Sequence, residues 1–492
     1  VNIRWIKEGL IYGLAGVLSK FTGVFLIPIY TRFLTTEAYG LLDLCTMVSA
    51  ILLILVETQM ASGVMRSYYE SKEKNERDSL VGTAFTYYLM ANVAMWGVLW
   101  FLRGTLVRYL PEFQPNLLLP ILATVLPTQV IQLVLILLRL EHRLKPYLIL
   151  AVGQLWLAAI FGIVAVVFLK AGVVGILWSL AVSKLVFVIP SLFLCYRMVG
   201  IRLNLSYFRE LFAYSAPIVP ATLGNWVQTY ASRLFIVGAL SFSVLGIYSV
   251  ANKIASLFLL LALAFRLTWQ PYAVKQYTIP NSEGKFSKAL NLYLFGTFVV
   301  LVLLSTASPI LVRILAAKPF WAATPYVAIL AAGYLWNGAV TILAAGNNWE
   351  RKTYYNTLGS VVGGVVAVAL LWWGIGRFGL PIVALSFYAG MVTKAMLILW
   401  TAQYNHPIPY SKRSIGVVLV ASLLYSIICY GFIERITLDL VSTTAVCLLI
   451  GVTLVMIMWF TILRPGERAL MKSIAKESLL IAIRWVSREA IL

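Results

Sequence analysis

Charge is scarce in this chain. Only 12% of its 492 residues are Asp, Glu, Lys or Arg, against 61% hydrophobic, roughly half the charged share of an ordinary soluble domain. A water-soluble globule cannot bury that much apolar surface, so soluble enzymes and disordered chains are excluded. Cysteine is scarce too. Cys45, Cys195, Cys429 and Cys447 lie in or beside apolar stretches with no CxxC or Cys/His spacing. That excludes a secreted disulfide scaffold and leaves them as small core residues. Walker, zinc-ligand, GxSxG and aspartate-rich glycosyl-transfer motifs are missing. An enzyme, an ATP-driven pump and a resident metal or cofactor are therefore not expected. Alternating ten-residue strands are missing as well, which excludes a membrane barrel.

What is present is a series of apolar runs of about 20 residues, the length that crosses a bilayer as helix. The fold class is an all-α polytopic membrane protein. Fourteen spans fit the hydropathy, near 9–31, 40–65, 80–102, 117–138, 147–169, 173–195, 211–235, 244–270, 289–312, 324–346, 355–376, 380–402, 413–433 and 440–463. The first follows Arg4 and Lys7, but its apolar core is too long for a signal peptide and no small-residue cleavage site follows. It reads as a retained helix.

The net charge is +21, from 39 Lys+Arg and 18 Asp+Glu. The positions of the basic residues argue against a nucleic-acid partner. With Arg413, at the first position of the thirteenth span, counted in the loop before it, termini and even-numbered loops carry 25 Lys+Arg, odd-numbered loops carry 8, and six lie within spans. By the positive-inside rule both termini are expected in the cytoplasm.

The chain also resembles itself at an offset near 207. Residues 33–41 match 239–247, His142–Tyr147 line up with Trp349–Tyr354, Gly172 corresponds to Gly379, and Ser183–Lys184 to Thr393–Lys394. Six spans per unit give both units the same orientation, so a pseudo-twofold axis along the membrane normal should relate them. The expected organisation is an N-lobe (1–200), a C-lobe (201–405), two further spans (406–465) and a tail (466–492). Two lobes facing each other across a central cleft suit a transporter that alternates access by rocking.

Charges inside the spans are the most informative feature, since each costs on the order of 2.5–3.5 kcal/mol on insertion scales. Lys20 shares one helix face with Gly9, Gly13, Gly16 and Gly23, a stripe where another helix or a cavity approaches closely. Lys253 has Ser249 and Ser256 on its face. Lys184 and Lys394 sit near mid-span in equivalent helices and would line the cleft from opposite sides if both point inward. Arg233, late in its span, could snorkel to the outer surface; Arg266 reads as an interfacial anchor and Asp43 as an interfacial cap. Five embedded cations, Lys20, Lys184, Arg233, Lys253 and Lys394, thus face one embedded carboxylate, Glu57. Structural ion pairs need balance, and an excess of cations predicts an anionic substrate, with phosphate the commonest group such a cavity would attract. Glu57 has two readings, a counter-ion for a neighbouring cation or a protonatable coupling site.

Trp96, Trp100, Trp372 and Trp373 fall where interfacial belts are expected. Trp226, Tyr230, Tyr334 and Trp336 lie deeper, as packing residues or as platforms for sugar rings. The tail mixes Leu470, Ile474, Ile481 and Trp485 with Arg468, Lys472, Lys476, Arg484 and Arg488. It is expected to lie as an amphipathic helix on anionic lipid.

The opening, Gly9-Leu10-Ile11-Tyr12-Gly13-Leu14 through Leu26-Ile27-Pro28-Ile29-Tyr30-Thr31-Arg32-Phe33-Leu34-Thr35-Thr36-Glu37-Ala38-Tyr39-Gly40, resembles the start of the polysaccharide transporter family, the O-antigen and exopolysaccharide flippases of the MOP exporter superfamily. The resemblance implies translocation of an undecaprenyl-pyrophosphate-linked oligosaccharide from the inner to the outer leaflet of a bacterial inner membrane. It also implies cleft cations that hold the pyrophosphate, and polysaccharide polymerase or assembly proteins as further partners. Proton or sodium coupling stays open. Two relatives remain as alternatives: a lipid II flippase of peptidoglycan synthesis, and a MATE-type multidrug exporter. The latter normally carries an acidic residue in the first helix, where this chain has Lys20. A non-transporting scaffold would make the embedded lysines dispensable.

Overall fold

The structure, a computed structural model, describes residues 18, 21–71, 73–109, 115–200, 202–435 and 440–473. Lys20 and the glycines before it lie outside the described residues, as does the tail beyond residue 473. Among the described residues every regular element is helical. In chain order they are α1 (Ile27–Phe33), α2 (Thr36–Glu57), α3 (Met60–Glu70), α4 (Lys74–Tyr109), α5 (Pro115–Leu140), α6 (Leu144–Ile163), α7 (Gly172–Val199), α8 (Leu205–Ser215), α9 (Val219–Ala239), α10 (Phe242–Ala255), α11 (Phe258–Gln276), α12 (Glu283–Leu315), α13 (Thr324–Leu343), α14 (Ala345–Trp349), α15 (Tyr354–Phe378), α16 (Leu380–Asn405), α17 (Lys412–Arg435) and α18 (Leu440–Thr461). Twelve helical stretches among the described residues are long and apolar enough to cross a membrane. Of the other two expected spans, the first is described only from Phe21 onward as a shorter apolar helix. The seventh, α9, carries Asn225, Gln228 and Arg233 and is too polar to qualify by hydropathy.

Two spans that read as continuous are broken. The second splits into α2 and α3 at Thr58 and Gln59, whose φ angles of 44° and 56° are left-handed. Neither is glycine, so the break stores strain of the kind that persists only when surrounding packing enforces it. The Thr58 hydroxyl lies 2.9 Å from the Tyr87 hydroxyl of α4, which anchors the break. The eighth splits into α10 and α11 around Ser256 and Leu257.

The internal repeat is visible as a reciprocal contact. Thr35 caps α2 by accepting from the Ala38 N–H at 3.1 Å, and Ser241 caps α10 by accepting from the Val244 N–H at 3.2 Å. Five residues past each cap stands a glycine. A Cβ on Gly40 would overlap the Phe242 carbonyl oxygen, and a Cβ on Gly246 would overlap the Thr36 carbonyl oxygen. Phe242 and Thr36 are themselves equivalent positions, so the two contacts are one contact seen twice, as a twofold relation between α2 and α10 requires. The Thr36 and Ser243 hydroxyls meet beside it at 2.6 Å. Small residues let the backbones approach this closely.

The repeat's offset is not constant, and one alignment needs correction. The left-handed turn after α5 places His142 at φ 57°, and the turn after α14 places Arg351 at φ 56°. Around them, His142 N–H donates to the Arg139 carbonyl and Arg143 N–H to the Leu138 carbonyl. In the second half, Arg351 N–H donates to the Asn348 carbonyl and Lys352 N–H to the Asn347 carbonyl. His142 therefore matches Arg351, not Trp349, and the offset here is 209.

The last two helices pack on α12 and α13. The Tyr425 hydroxyl of α17 sits between the carbonyls of Val302 on α12 (3.4 Å) and Cys447 on α18 (3.3 Å). Beyond α18, Glu467 is 4% exposed, taking the Arg464 N–H at 2.9 Å and facing the Asn291 amide of α12 at 3.4 Å. The start of the tail is thus fastened to the helices.

Candidate functional site

The contacts between residues before 200 and those after 216 gather at one end of the molecule, around the reciprocal glycines. Four side-chain groups make hydrogen bonds there. Besides Thr36–Ser243, the Ala317 N–H donates to the Thr31 hydroxyl at 3.2 Å, and the Lys253 ammonium donates to the Tyr39 hydroxyl at 2.9 Å. The Arg233 Nε donates to Asp43 Oδ2 at 2.9 Å. At the opposite end α3 packs instead on the linker helix α8, where the Ser67 hydroxyl donates to Glu210 at 2.8 Å.

This geometry corrects two expectations. Arg233 does not snorkel outward and is only 3% exposed; Asp43 is no interfacial cap and is 7% exposed. They form a buried ion pair across the two halves, with the guanidinium also bonded to the Thr229 carbonyl and lying over the Tyr230 ring at 4.6 Å. The cap of α2 is Thr35. Asp43 is a second embedded carboxylate. Arg233 is therefore held by the protein, not left free for a ligand in this arrangement.

The lysines are placed differently. Lys253 has its ammonium 4.5 Å from the Tyr39 ring centroid as well as on the hydroxyl, and Tyr39 itself packs edge-on against Phe320 at 5.4 Å. Lys184 on α7 donates to the Thr128 hydroxyl of α5 at 2.5 Å, one residue after Pro127, which interrupts the α5 ladder. Lys394 on α16, 8% exposed, donates to Asn225 of α9 at 3.1 Å and reaches Asn337 of α13 at 3.4 Å. Lys184–Thr128 and Lys394–Asn337 match at offsets of 210 and 209, so each half repeats the same lysine-to-polar contact between corresponding helices. Among the described residues, none of these three lysines has a carboxylate partner. The hydrogen bonds of Lys184 and Lys394 run to neutral acceptors and leave their charge uncompensated, the arrangement that attracts an anion, whereas Lys253 also feels the charge of Asp43.

Glu57 ends α2 at the left-handed break and has no ion-pair partner among the described residues. It stands near α4, on the far side of α2 from the Arg233 junction in chain order. The structure does not bring Lys184, Lys394, Lys253 and Glu57 into one cluster. Lys184 and Glu57 belong to the first half, Lys394 to the second, and Lys253 to the junction.

Of the deep aromatics, Trp336 is wholly buried and its indole donates to the Ser422 hydroxyl at 3.3 Å. It is a packing residue. The Tyr334 hydroxyl donates to Asn252 at 2.8 Å and is held likewise. Trp226 and Tyr230 lie one helical turn apart on α9 with ring centroids 5.9 Å apart, and both are only partly buried. Trp372, Trp373 and Trp100 are exposed on the outside of the bundle, as belt residues are. Sequence reasoning missed Tyr39, Thr128, Asn225 and Asn337. The signal for the last three is a polar side chain in an apolar span, which a search limited to charge passes over.

Comparison with known proteins agrees with this architecture. The sequence model of the family described as polysaccharide biosynthesis protein matches residues 29–263. Among curated proteins, none matches the sequence. Among solved structures, the lipid II flippase MurJ in an inward-closed conformation is similar with a TM-score of 0.67 at 14% identity, covering 92% of this chain and 98% of that one. An inward-facing multidrug-resistance MATE family transporter of the MOP superfamily is similar with a TM-score of 0.59 at 12% identity, covering 78% of this chain and 94% of the other. A MATE protein in complex with MaD3S gives a TM-score of 0.56 at 12% identity, over 82% and 95%. The family match thus spans a little under half of the chain, and the solved structures show that its fold is similar to that of a lipid II flippase and of MATE transporters.

Proposed function

We propose that this protein is a flippase for a polyprenyl-pyrophosphate-linked oligosaccharide, an O-antigen or exopolysaccharide repeat unit, working by alternating access. The observation that carries the reading is the pair of equivalent lysines, Lys184 and Lys394, held by neutral acceptors in the two halves. A membrane protein keeps an uncompensated ammonium only where something recovers its cost, and a pyrophosphate supplies two negative charges in one group.

The junction at Thr31–Asp43 and Arg233–Lys253 acts as the closed end. In the proposed topology it faces away from the cytoplasm of a bacterial inner membrane, with both termini inside, so the opposite end admits the head group. The polyprenyl chain stays in the bilayer. Lys20, Lys184, Lys253 and Lys394 neutralise phosphate as the lobes (1–200 and 201–405) rock, with 406–465 as an added helix pair. Arg233 joins them only after its pair with Asp43 parts. Glu57 is a coupling site for proton or sodium, since among the described residues no cation forms an ion pair with it. Assembly proteins of the same polysaccharide route receive the product on the other side.

The test is head-group flipping in proteoliposomes with a fluorescent polyprenyl-pyrophosphate oligosaccharide, comparing the wild type with Lys184→Ala/Lys394→Ala. Wild-type flipping that the folded double variant loses supports the mechanism. Equal flipping makes the lysines structural. Flipping of lipid II alone, or efflux of a cationic dye with no flipping, moves the protein to another branch of the superfamily.

A further inference from the structure

A polar cavity lies away from the lysines discussed above. It opens at the end of the second half opposite the reciprocal glycines, between the end of α11, the turn after α14 and the start of α15, with a volume of about 1200 Å³. That exceeds the range of about 300–1,000 Å³ typical of small-molecule pockets and leaves room for more than one sugar ring.

Its chemistry is one-sided. Arg266 from α11 and Arg351 from the turn both line it, and among the described residues no Asp or Glu does. Neither guanidinium has an ion-pair partner among the described residues. The acid next in sequence, Glu350, is engaged with the His406 ring at 3.3 Å. Gln270, Asn348 and Asn356 add amides to the lining, and the Asn356 amide donates to Asn348 at 3.1 Å, which fixes both. The turn that presents Arg351 is over-determined. Its left-handed φ is held by the two backbone bonds from Arg351 and Lys352, and strain of this kind collects at ligand sites.

One wall is aromatic. Trp269, Tyr277 and Trp349 line the cavity, with Tyr277 and Trp349 at 5.0 Å and the His406 ring stacked on Trp349 from behind at 4.3 Å. Fixed rings beside amides are what a sugar needs, a flat apolar face for its C–H groups and acceptors and donors for its hydroxyls. Trp269 also lines a second, apolar pocket of about 540 Å³ between α11 and α12, with Phe265 and Tyr293. That pocket takes in residues nearer the start of α11, hence deeper in the span. A polar cavity at the helix end thus meets an apolar one along the helix at a shared tryptophan.

We propose that this cavity is the entry site for the head group of a glycolipid, with Arg266 and Arg351 on the phosphates, the aromatic wall on the sugar, and the first isoprene units in the apolar pocket. The proposal deepens the flippase reading and rests on it: the glycolipid docks here, in the second half, before the lobes carry it past Lys394 and Lys184. Arg266, legible in sequence as an interfacial anchor, becomes a ligand-binding residue.

The test is equilibrium binding to the full chain in detergent, using farnesyl-pyrophosphate-linked disaccharide, sugar-free farnesyl pyrophosphate and phosphatidylglycerol as probes. Arg266→Gln/Arg351→Gln changes exposed side chains and should leave the melting temperature unchanged. It is expected to weaken disaccharide binding roughly 100-fold, about tenfold for each charge-assisted contact. Trp349→Leu should weaken the disaccharide probe and leave the sugar-free probe as it was. Wild-type affinity in the arginine variant, with loss in Lys184→Ala/Lys394→Ala, overturns the entry site and leaves the flippase reading standing. Phosphatidylglycerol binding as tightly as the disaccharide, through the same arginines, also overturns it, because the cavity then holds a phospholipid head group. Absence of disaccharide binding by the wild type sinks the flippase reading along with it.

Discussion

The Asp43–Arg233 pair gives the sharpest prediction. It joins α2 to α9 at 2.9 Å with both side chains almost wholly buried, at the end of the molecule that must open if the halves rock. Asp43→Asn keeps the size of the side chain and removes its charge, leaving Arg233 buried without a counter-ion beside the Thr229 carbonyl and the Tyr230 and Tyr248 rings. Removing one partner of a buried pair costs about 3–5 kcal/mol. When the halves part at this end, water reaches the guanidinium and the cost disappears. The substitution therefore raises the free energy of the closed arrangement and hardly that of the open one. At about 1.4 kcal/mol per tenfold, the lower figure shifts the ratio of open to closed by roughly 100-fold. The assay is labelling of a single cysteine placed at Ser243, which is shielded beside Thr36 when the junction is closed, by a membrane-impermeant maleimide. The labelling rate should rise by about that factor in Asp43→Asn, and the exchanged pair Asp43→Arg/Arg233→Asp should bring it part of the way back. Unchanged labelling in Asp43→Asn, with the protein folded, refutes the idea that this pair latches the junction.

Gly40→Ala and Gly246→Ala should each lower the melting temperature in detergent and should do so to a similar degree, because each Cβ strikes the equivalent carbonyl. Overpacking of this kind costs about 1–3 kcal/mol, and unequal effects would argue against the twofold contact. Tyr39→Phe removes the hydroxyl that accepts from Lys253 but keeps the ring under its ammonium. It should cost less stability than Tyr39→Leu by about 0.5–2 kcal/mol, the worth of a cation–π contact, read from the two melting curves. Trp336→Ala should destabilise the fold by about 3–5 kcal/mol without altering the probe preference in the flipping assay of the proposed function. A change of substrate with stability intact would make Trp336 a sugar platform after all.

The sequence by itself determined that the chain crosses a membrane many times as helix. Scarce charge and apolar runs of about 20 residues leave the backbone no other way to satisfy its hydrogen bonds in lipid. It also carried the repeat, because duplicated caps and glycines stay where the backbone geometry demands them: Thr35 and Ser241 cap equivalent helices, and Gly40 and Gly246 make equivalent contacts. Embedded cations were legible one by one for the same reason, since a charge is conspicuous among apolar neighbours.

Only the tertiary structure decided what each charge meets. Asp43 and Arg233 are 190 residues apart, and nothing local to either tells that the pair forms. The breaks at Thr58 and Gln59 were equally hidden, because non-glycine residues enter the left-handed region only under packing from elsewhere. The drift of the repeat from an offset of 206 at the glycines to 209 at His142 and Arg351 is a matter of turn geometry, which residue identity at those turns no longer records. The cavity of Arg266 and Arg351 exists only because α11 and the turn after α14 converge from positions about 85 residues apart. Local chemistry chose the helices and their polar residues; long-range packing chose the partners, and partners decide whether a charge holds the fold or waits for a ligand.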